Sequence, residues 1–461
     1  MANAQLPMMP FTRPTLLSLP NEILQDIASR LPLDKDISNL GLACKDLNAR
    51  VLGPDSSVWK DRFKEKYDLP DGLTNRQLSD EYRIRETILS EAINFKQQSS
   101  ERQTLWLVVM QRMILESLTL PLNADEPFKT LKQIRKALTK SRFLEYPRRE
   151  SPTELFCVVQ LCLTSLALTL NRSNRGKLAI KNSCTRFEYD TAVVYSFGDD
   201  LTKPFIDHKN LDLYRLLHIR SFWQRHMLSR VEQAFYGAFS LLSETARPQL
   251  RRTSPDPDWM LNVTWLGFYC KEPDRSFLQQ QIQADRPILQ LACLHPMPTT
   301  REDFERHERE TCADLRGDHV NFAELMILNI KASQDSFWPA ICNRVMPINT
   351  GVNVIRKYFQ GVQAELNEED EENPVFGFTE TIAREYGGIP GWMRICFAIC
   401  EQGTETSDPA QNNAANTVDN DDMWFHGYEG LVLPGERIMI GRWLDLKMTD
   451  GGGRGPFIFW N

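Results

Sequence analysis

The sequence has no apolar run long enough to cross a bilayer. Its most hydrophobic stretch, Leu155 to Leu170, is shorter than the ~20 residues a spanning helix needs, and Gln160, Thr164 and Ser165 interrupt it, so it is expected as a buried core helix. Positive charge is not in excess either: 54 Lys and Arg stand against 61 Asp and Glu, a net charge of −7. No basic stripe interleaved with aromatics is present, and the short basic piece Arg247 to Arg252 is read as a solvated loop. Nucleic acid and membrane are therefore not expected partners. The first residues show neither a basic region followed by a long apolar run nor a glycine after Met1, and the expected location is cytoplasmic and/or nuclear.

Catalytic and metal-binding patterns are missing too. There is no Gly-x-Ser-x-Gly, no phosphate-binding Gly-rich loop ending in Lys-Ser/Thr, and no His-Glu-x-x-His. The glycines of Asp450 to Gly455 lack the lysine and hydroxyl that grip phosphate, and read as a hairpin connection. Seven histidines are dispersed, and none pairs with a cysteine at zinc-ligand spacing. The ten cysteines are scattered through apolar segments, as reduced core thiols are. Cys396 and Cys400 lie four apart; on a strand they are separated by about 13 Å, beyond disulfide reach. The chain is read as non-enzymatic, with no metal and no cofactor.

What is present belongs to a globular protein of 461 residues, 42% hydrophobic and 25% charged. The expected fold class is multidomain α+β, in four zones. Residues 12–68 form a compact helical unit. Residues 78–172 carry helical patterns and make a helical linker domain. In the mixed zone, 173–360, β-branched and aromatic residues from Gly176 to Asp200 suggest two short strands, and a strong helical period follows from Leu211. Two later aromatic-rich pieces there, Asp258 to Cys270 and Phe322 to Cys342, do not settle between helix and strand. After an acidic run, Glu365 to Pro374, residues 374–461 read as an antiparallel β domain, barrel- or sandwich-like, with a polar low-complexity loop at 403–422 expected to be disordered.

The N-terminal unit has more apolar positions than it can bury alone. Pro20 suits a helix start, and Glu22 complements the positive end of the helix dipole. Ile23, Ile27 and Leu31 then form a stripe that Leu24 and Ala28 widen, until Pro32 stops it. A second helix opens at Asp34 or Asp36, and a third segment spaces Trp59, Phe63 and Tyr67 by four. Left in water, the surplus leucine is an association liability, and its usual meaning is a partner surface.

The ordered set Leu19-Pro20, Glu22-Ile23-Leu24, Ile27, Leu31-Pro32-Leu33, Leu40 with Ala43-Cys44-Lys45, and Trp59-Lys60 with Phe63 resembles an F-box, the module of about fifty residues that binds the adaptor Skp1. The resemblance implies a three-helix fold and a Skp1 contact made or supported by Leu16, Leu19, Pro20, Ile23, Leu24, Ile27, Leu31 and Trp59. The last forty or so residues are similar to the tail of a group of fungal F-box proteins, in which Tyr-Glu-Gly, Leu-Pro-Gly, Gly-Arg-Trp and Gly-Pro-Phe-Ile recur. Trp424, Tyr428, Glu429, Arg442 and Trp443 put aromatic planes beside one acid and one base there. They either line a cup that holds a peptide of the substrate or belong to a barrel core in which Arg442 pairs with Glu429.

The resemblance implies a substrate-recognition subunit of a Skp1–cullin–F-box ubiquitin ligase, with the cullin and RING subunits reached through Skp1 and a protein substrate recruited by the C-terminal regions. The alternatives are a Skp1-binding subunit acting outside a ligase as a structural or regulatory component, and an enzyme hidden within residues 80–360.

Overall fold

Short helices and their caps build the N-terminal part of the chain. In the computed structural model, which describes residues 15–70, 72–95, 100–119, 129–141, 143–145, 152–169, 189–195, 204–228, 233–248, 258–270, 325–351, 354–365, 372–402, 423–446 and 453–461, a 3-10 turn at Leu16–Ser18 leads into α1 (Asn21–Ser29). Then come α2 (Asp34–Leu42), α3 (Lys45–Val51), α4 (Val58–Lys66) and α5 (Asn75–Ser90). Pro20 takes the N-cap of α1, and Glu22 lies in its first turn. The Cys44 thiol accepts the Leu47 N–H at the start of α3. Thr74 and Gln77 form a capping box that fixes the start of α5, each accepting a backbone N–H of the other.

The chain divides into two compact units, Met1–Ala92 with Ala124–Ala137 and Ile93–Asn123 with Leu138–Asn461. The first therefore continues past the break expected between 68 and 78. Side chains of α5 explain why: Tyr82 lies 5.6 Å from the Trp59 ring and 6.4 Å from that of Tyr67, and the Arg85 guanidinium sits over both Phe63 and Tyr67. The Tyr82 hydroxyl donates to Asp34 at 2.7 Å, and Lys66 pairs with Glu86 at 2.9 Å. Residue 68 is thus the end of a motif rather than the end of a folding unit. The carboxylate of Asp68 in turn accepts the N–H groups of Lys129 and Thr130 at the head of α7 (Lys129–Ser141), the helix that follows α6 (Glu101–Thr119).

In the second unit, α6, α8 (Glu154–Cys162), α9 (Thr164–Thr169), α10 (Thr191–Val194), α11 (Leu213–Leu228) and α12 (Gln233–Leu241) accompany a sheet. Rings of Phe95, Trp106, Phe143 and Phe156 pack within 4.7–6.3 Å of one another. Within the buried helix α11, Arg220 donates to Gln160 of α8 at 2.9 Å and to Gln224 at 2.8 Å. Of the two strands expected between 176 and 200, the described part is a helical turn at Thr191–Val194, and residues 170–188 lie outside the described residues.

The sheet is a closed eight-stranded antiparallel barrel in which each strand pairs with its neighbours in sequence and β1 closes on β8. Its members are β1 (Thr264–Tyr269), β2 (Met326–Ser333), β3 (Arg356–Glu365), β4 (Glu372–Thr381), β5 (Met393–Gln402), β6 (Met423–Val432), β7 (Ile438–Asp445) and β8 (Arg454–Trp460), with α13 (Ala340–Val345) between β2 and β3. The two undecided aromatic segments resolve mainly into strands, so the barrel reaches well before residue 374. Residues 403–422, expected as a disordered loop, lie outside the described residues. Alternate side chains fill the barrel, among them Trp265, Leu328, Phe397, Tyr428, Trp443 and Phe457. The opposite face of β4, β5 and β7 is covered too, where Phe378, Cys396, Ala398 and Leu444 pack against Cys342 and Met346 at and just beyond α13. No described helix is long and apolar enough to cross a membrane.

Candidate functional site

The apolar stripe of α1 is split between two faces. Leu24 and Ala28 are fully buried, with Ile37, Val51, Val58 and Phe63 in the same core, whereas Ile23 and Ile27, one turn apart, remain 50% and 40% exposed. Leu16 and Leu17 on the preceding turn are 41% and 46% exposed; Pro20 is exposed, and Leu19 and Leu31 are half-buried. Two of the residues expected to make or support the contact, Leu24 and Trp59, do not face it. Leu24 is spent on the core of its own unit. Trp59 lies beneath Tyr82 and the Arg83 guanidinium, which is 5.2 Å from its ring, so it supports the fold and offers no surface. The face left in water is Leu16, Leu17, Ile23 and Ile27 with Pro20. Exposed Leu33 precedes α2 and exposed Leu42 ends it, in the same unit.

Two polar side chains that no sequence motif marks hold this face in shape. Gln25 donates to the Arg50 carbonyl at 2.8 Å and accepts from the N–H and hydroxyl of Ser57, joining α1 to the end of α3 and the start of α4. From the last turn of α3, Arg50 reaches back to the carbonyls of Leu17 and Leu19 and to the Asn21 side chain.

The second candidate, the aromatic and charged set near the C-terminus, does not converge. Strand alternation sends Tyr428 and Trp443 into the barrel, and Glu429 and Arg442 to its outer wall. Three of the four C-terminal motifs, Tyr-Glu-Gly, Gly-Arg-Trp and Gly-Pro-Phe-Ile, lie side by side on β6, β7 and β8. Tyr428 faces Trp443, Glu429 faces Arg442, and Gly430 faces Gly441; on β8, Gly455, Pro456 and Phe457 stand opposite Trp443, Arg442 and Gly441. A Cβ on Gly430 or Gly441 lands 2.6 or 2.8 Å from the Phe457 ring, so the glycines make room for that ring. Trp443 donates its indole N–H to the Cys270 carbonyl at 2.9 Å, and the Tyr428 ring stacks on Phe397 at 4.5 Å. Trp424 is on β6 opposite Glu401, and its side chain lies outside the described residues.

On the outer wall, Glu429 is the middle of a buried chain of charges. Its carboxylate accepts from Arg394 at 2.7 Å and Arg442 at 2.8 Å, and from the backbone N–H groups of Phe205 and Ile206 at 2.8 and 3.4 Å. Arg394 continues to Glu380 at 3.0 Å and to the Pro347 carbonyl, and Glu380 also accepts from Arg356, His208 and the Asn349 N–H. Burial pushes the Glu429 carboxyl up, but Arg394 and Arg442 outweigh it and hold the group below the usual carboxylate range. Glu380 shows the same contest. Burial raises it, while the hydrogen bonds from His208, Asn349 and Arg356 and the charge of Arg394 bring it down to about 2. All four members from Arg442 to Glu380 are buried and ion-paired, so of the two alternatives it is the barrel core, with Arg442 paired to Glu429, that the fold shows for Tyr428, Glu429, Arg442 and Trp443. The Glu380–Arg394 pairing depends on β4–β5 register, which no local pattern reveals.

Burial pushes the thiols of Cys157 and Cys342 up to about 12 and that of Cys400 up to about 11. Among the described residues, no group of three or more His, Cys, Asp or Glu is placed to hold a metal ion.

Residues 16–65 match the family model of the F-box-like domain, which spans the split face of α1 and the four helices that build it. No curated protein and no solved structure matches the chain.

Proposed function

We propose that this chain, whose residues 16–65 form an F-box-like domain, docks on Skp1 through Leu16, Leu17, Pro20, Ile23 and Ile27 and serves as a substrate-recognition subunit of a Skp1–cullin–RING ubiquitin ligase. F-box domains typically bind Skp1. The observation that carries the reading is the coincidence of that domain with apolar side chains its own core leaves in water. The second unit presents the substrate, and ubiquitin transfer is done by the partners. The chain's own contribution is proximity, which holds a substrate lysine near the charged conjugating enzyme. It is non-catalytic and uses no cofactor.

Affinity purification of the full chain from cells with the proteasome and neddylation blocked tests this. The expected result is recovery of Skp1 with the cullin and a client that turns over once the block is lifted. Recovery of Skp1 without cullin or client turnover contradicts the ligase reading and favours a Skp1-bound subunit outside it.

A further inference from the structure

Helix hydrogen bonds hold the docking face from Ile23 onward, but not the segment before it. Between Thr15 and Pro20 the only regular structure is the 3-10 turn Leu16–Ser18, and none of its residues is buried. Its local bonds run from the Ser18 N–H and hydroxyl to the Thr15 carbonyl, at 2.9 and 2.7 Å, and from the Leu19 N–H to the Leu16 carbonyl at 3.3 Å. A single turn with so few bonds does not persist in water without tertiary support.

That support comes from Arg50. Its Nη1 donates to the Leu17 carbonyl at 2.9 Å, its Nη2 to the Leu19 carbonyl, and its Nε to Asn21 Oδ1 at 2.5 Å. Asp46, one turn earlier on α3, lies 3.4 Å from Nη1 and keeps the cation on that side of the helix. The Arg50 backbone is fixed in turn by Gln25, whose other end holds Ser57. A planar guanidinium with donors along two edges can satisfy two carbonyls and an amide oxygen at once, whereas a lysine ammonium has neither the fork nor the reach to serve all three.

We propose that Arg50 is a positioning residue for docking: it sets the Leu16–Leu19 turn in its binding conformation before the partner arrives. The inference rests on the Skp1 reading above and adds a residue that touches no partner. Ordering the turn in advance removes part of the entropic cost of association. Without Arg50 the competent conformation is populated for only a fraction of the time, and the apparent affinity falls by that fraction.

The test is association kinetics of the full chain with purified Skp1 for the wild type, Arg50→Ala, Arg50→Lys and Leu17→Ala, together with hydrogen exchange of the free chains. For Arg50→Ala the expectation is roughly tenfold weaker binding, faster exchange at the Ser18 and Leu19 amides, and unchanged exchange within α1 and α4. Arg50→Lys falls between it and the wild type. Leu17→Ala loses affinity with no change at those two amides, which separates a contact residue from a positioning one. Wild-type affinity in both Arg50 variants overturns the proposal, and so does a loss in Arg50→Lys accompanied by faster exchange throughout α1–α4. If Arg50→Ala loosens the whole unit, Arg50→Lys decides, because affinity and exchange both equal to the wild type refute the role. A wild-type chain that does not bind Skp1 overturns the docking reading itself, an outcome distinct from failure of the Arg50 role alone.

Discussion

Helix α1 and the wall of the barrel treat awkward side chains in opposite ways. The F-box-like unit leaves Ile23 and Ile27 half in water although Leu24 and Ala28 beside them are fully buried, while the barrel buries even its charges, from Arg442 through Glu429 and Arg394 to Glu380. Aromatic and charged residues gathered in sequence suggested a binding cup at the barrel. In the fold they are consumed by one another. The informative residues are the apolar ones that the fold could have covered and did not. An exposed isoleucine pair says more about partners than a satisfied Arg–Glu pair does.

The largest effect expected from breaking this contrast is at the centre of the charge chain. Glu429→Gln keeps the shape and removes the charge that Arg394 and Arg442 share, so the second unit should lose about 3–5 kcal/mol in urea denaturation. Docking to Skp1 should not change, because the docking face lies in the other unit. A smaller and graded effect is expected with acid. A carboxyl held at about 2 instead of the ordinary 4.5 stabilises the fold at any pH above its unfolded value, and that contribution disappears as pH falls from about 4.5 to about 2. Stability measured across that window should drop, and Glu380→Gln should flatten the drop. The smallest effect concerns α5, which extends the F-box-like unit: Thr74→Ala removes half of its capping box and should cost about 1 kcal/mol, read as a small fall in the midpoint of the first unit's thermal unfolding.

Much of this was legible in the residues. Pro20 and Pro32 bracket α1, and the alternation bounded by Gly and Pro between 423 and 461 gives three strands where three occur. Other features were not legible, for physical reasons. Ile23 and Leu24 are neighbours on one broad apolar arc, and only the placement of α2–α4 decides which of them turns inward. β1 carries buried residues without clean alternation, because a barrel filled inside and partly covered outside removes the polar phase that marks a strand. Thr191–Val194 has β-branched residues in a helical turn, a case of tertiary context overriding propensity. The choice between a cup and a barrel core was open to strand geometry alone: Tyr428 and Glu429 are consecutive on a strand and cannot share a face.

The most direct test of the central claim is calorimetric titration of Skp1 into the full chain, with the wild type and the Ile23→Ala, Ile27→Ala double variant compared. Each side chain has about half its surface left to bury, worth about 1–1.5 kcal/mol, so the variant should bind at least about 30-fold more weakly. Its thermal unfolding should stay within a degree or two of the wild type, since neither residue is part of the core. Equal affinity of the two chains, or no binding by the wild type, contradicts the account.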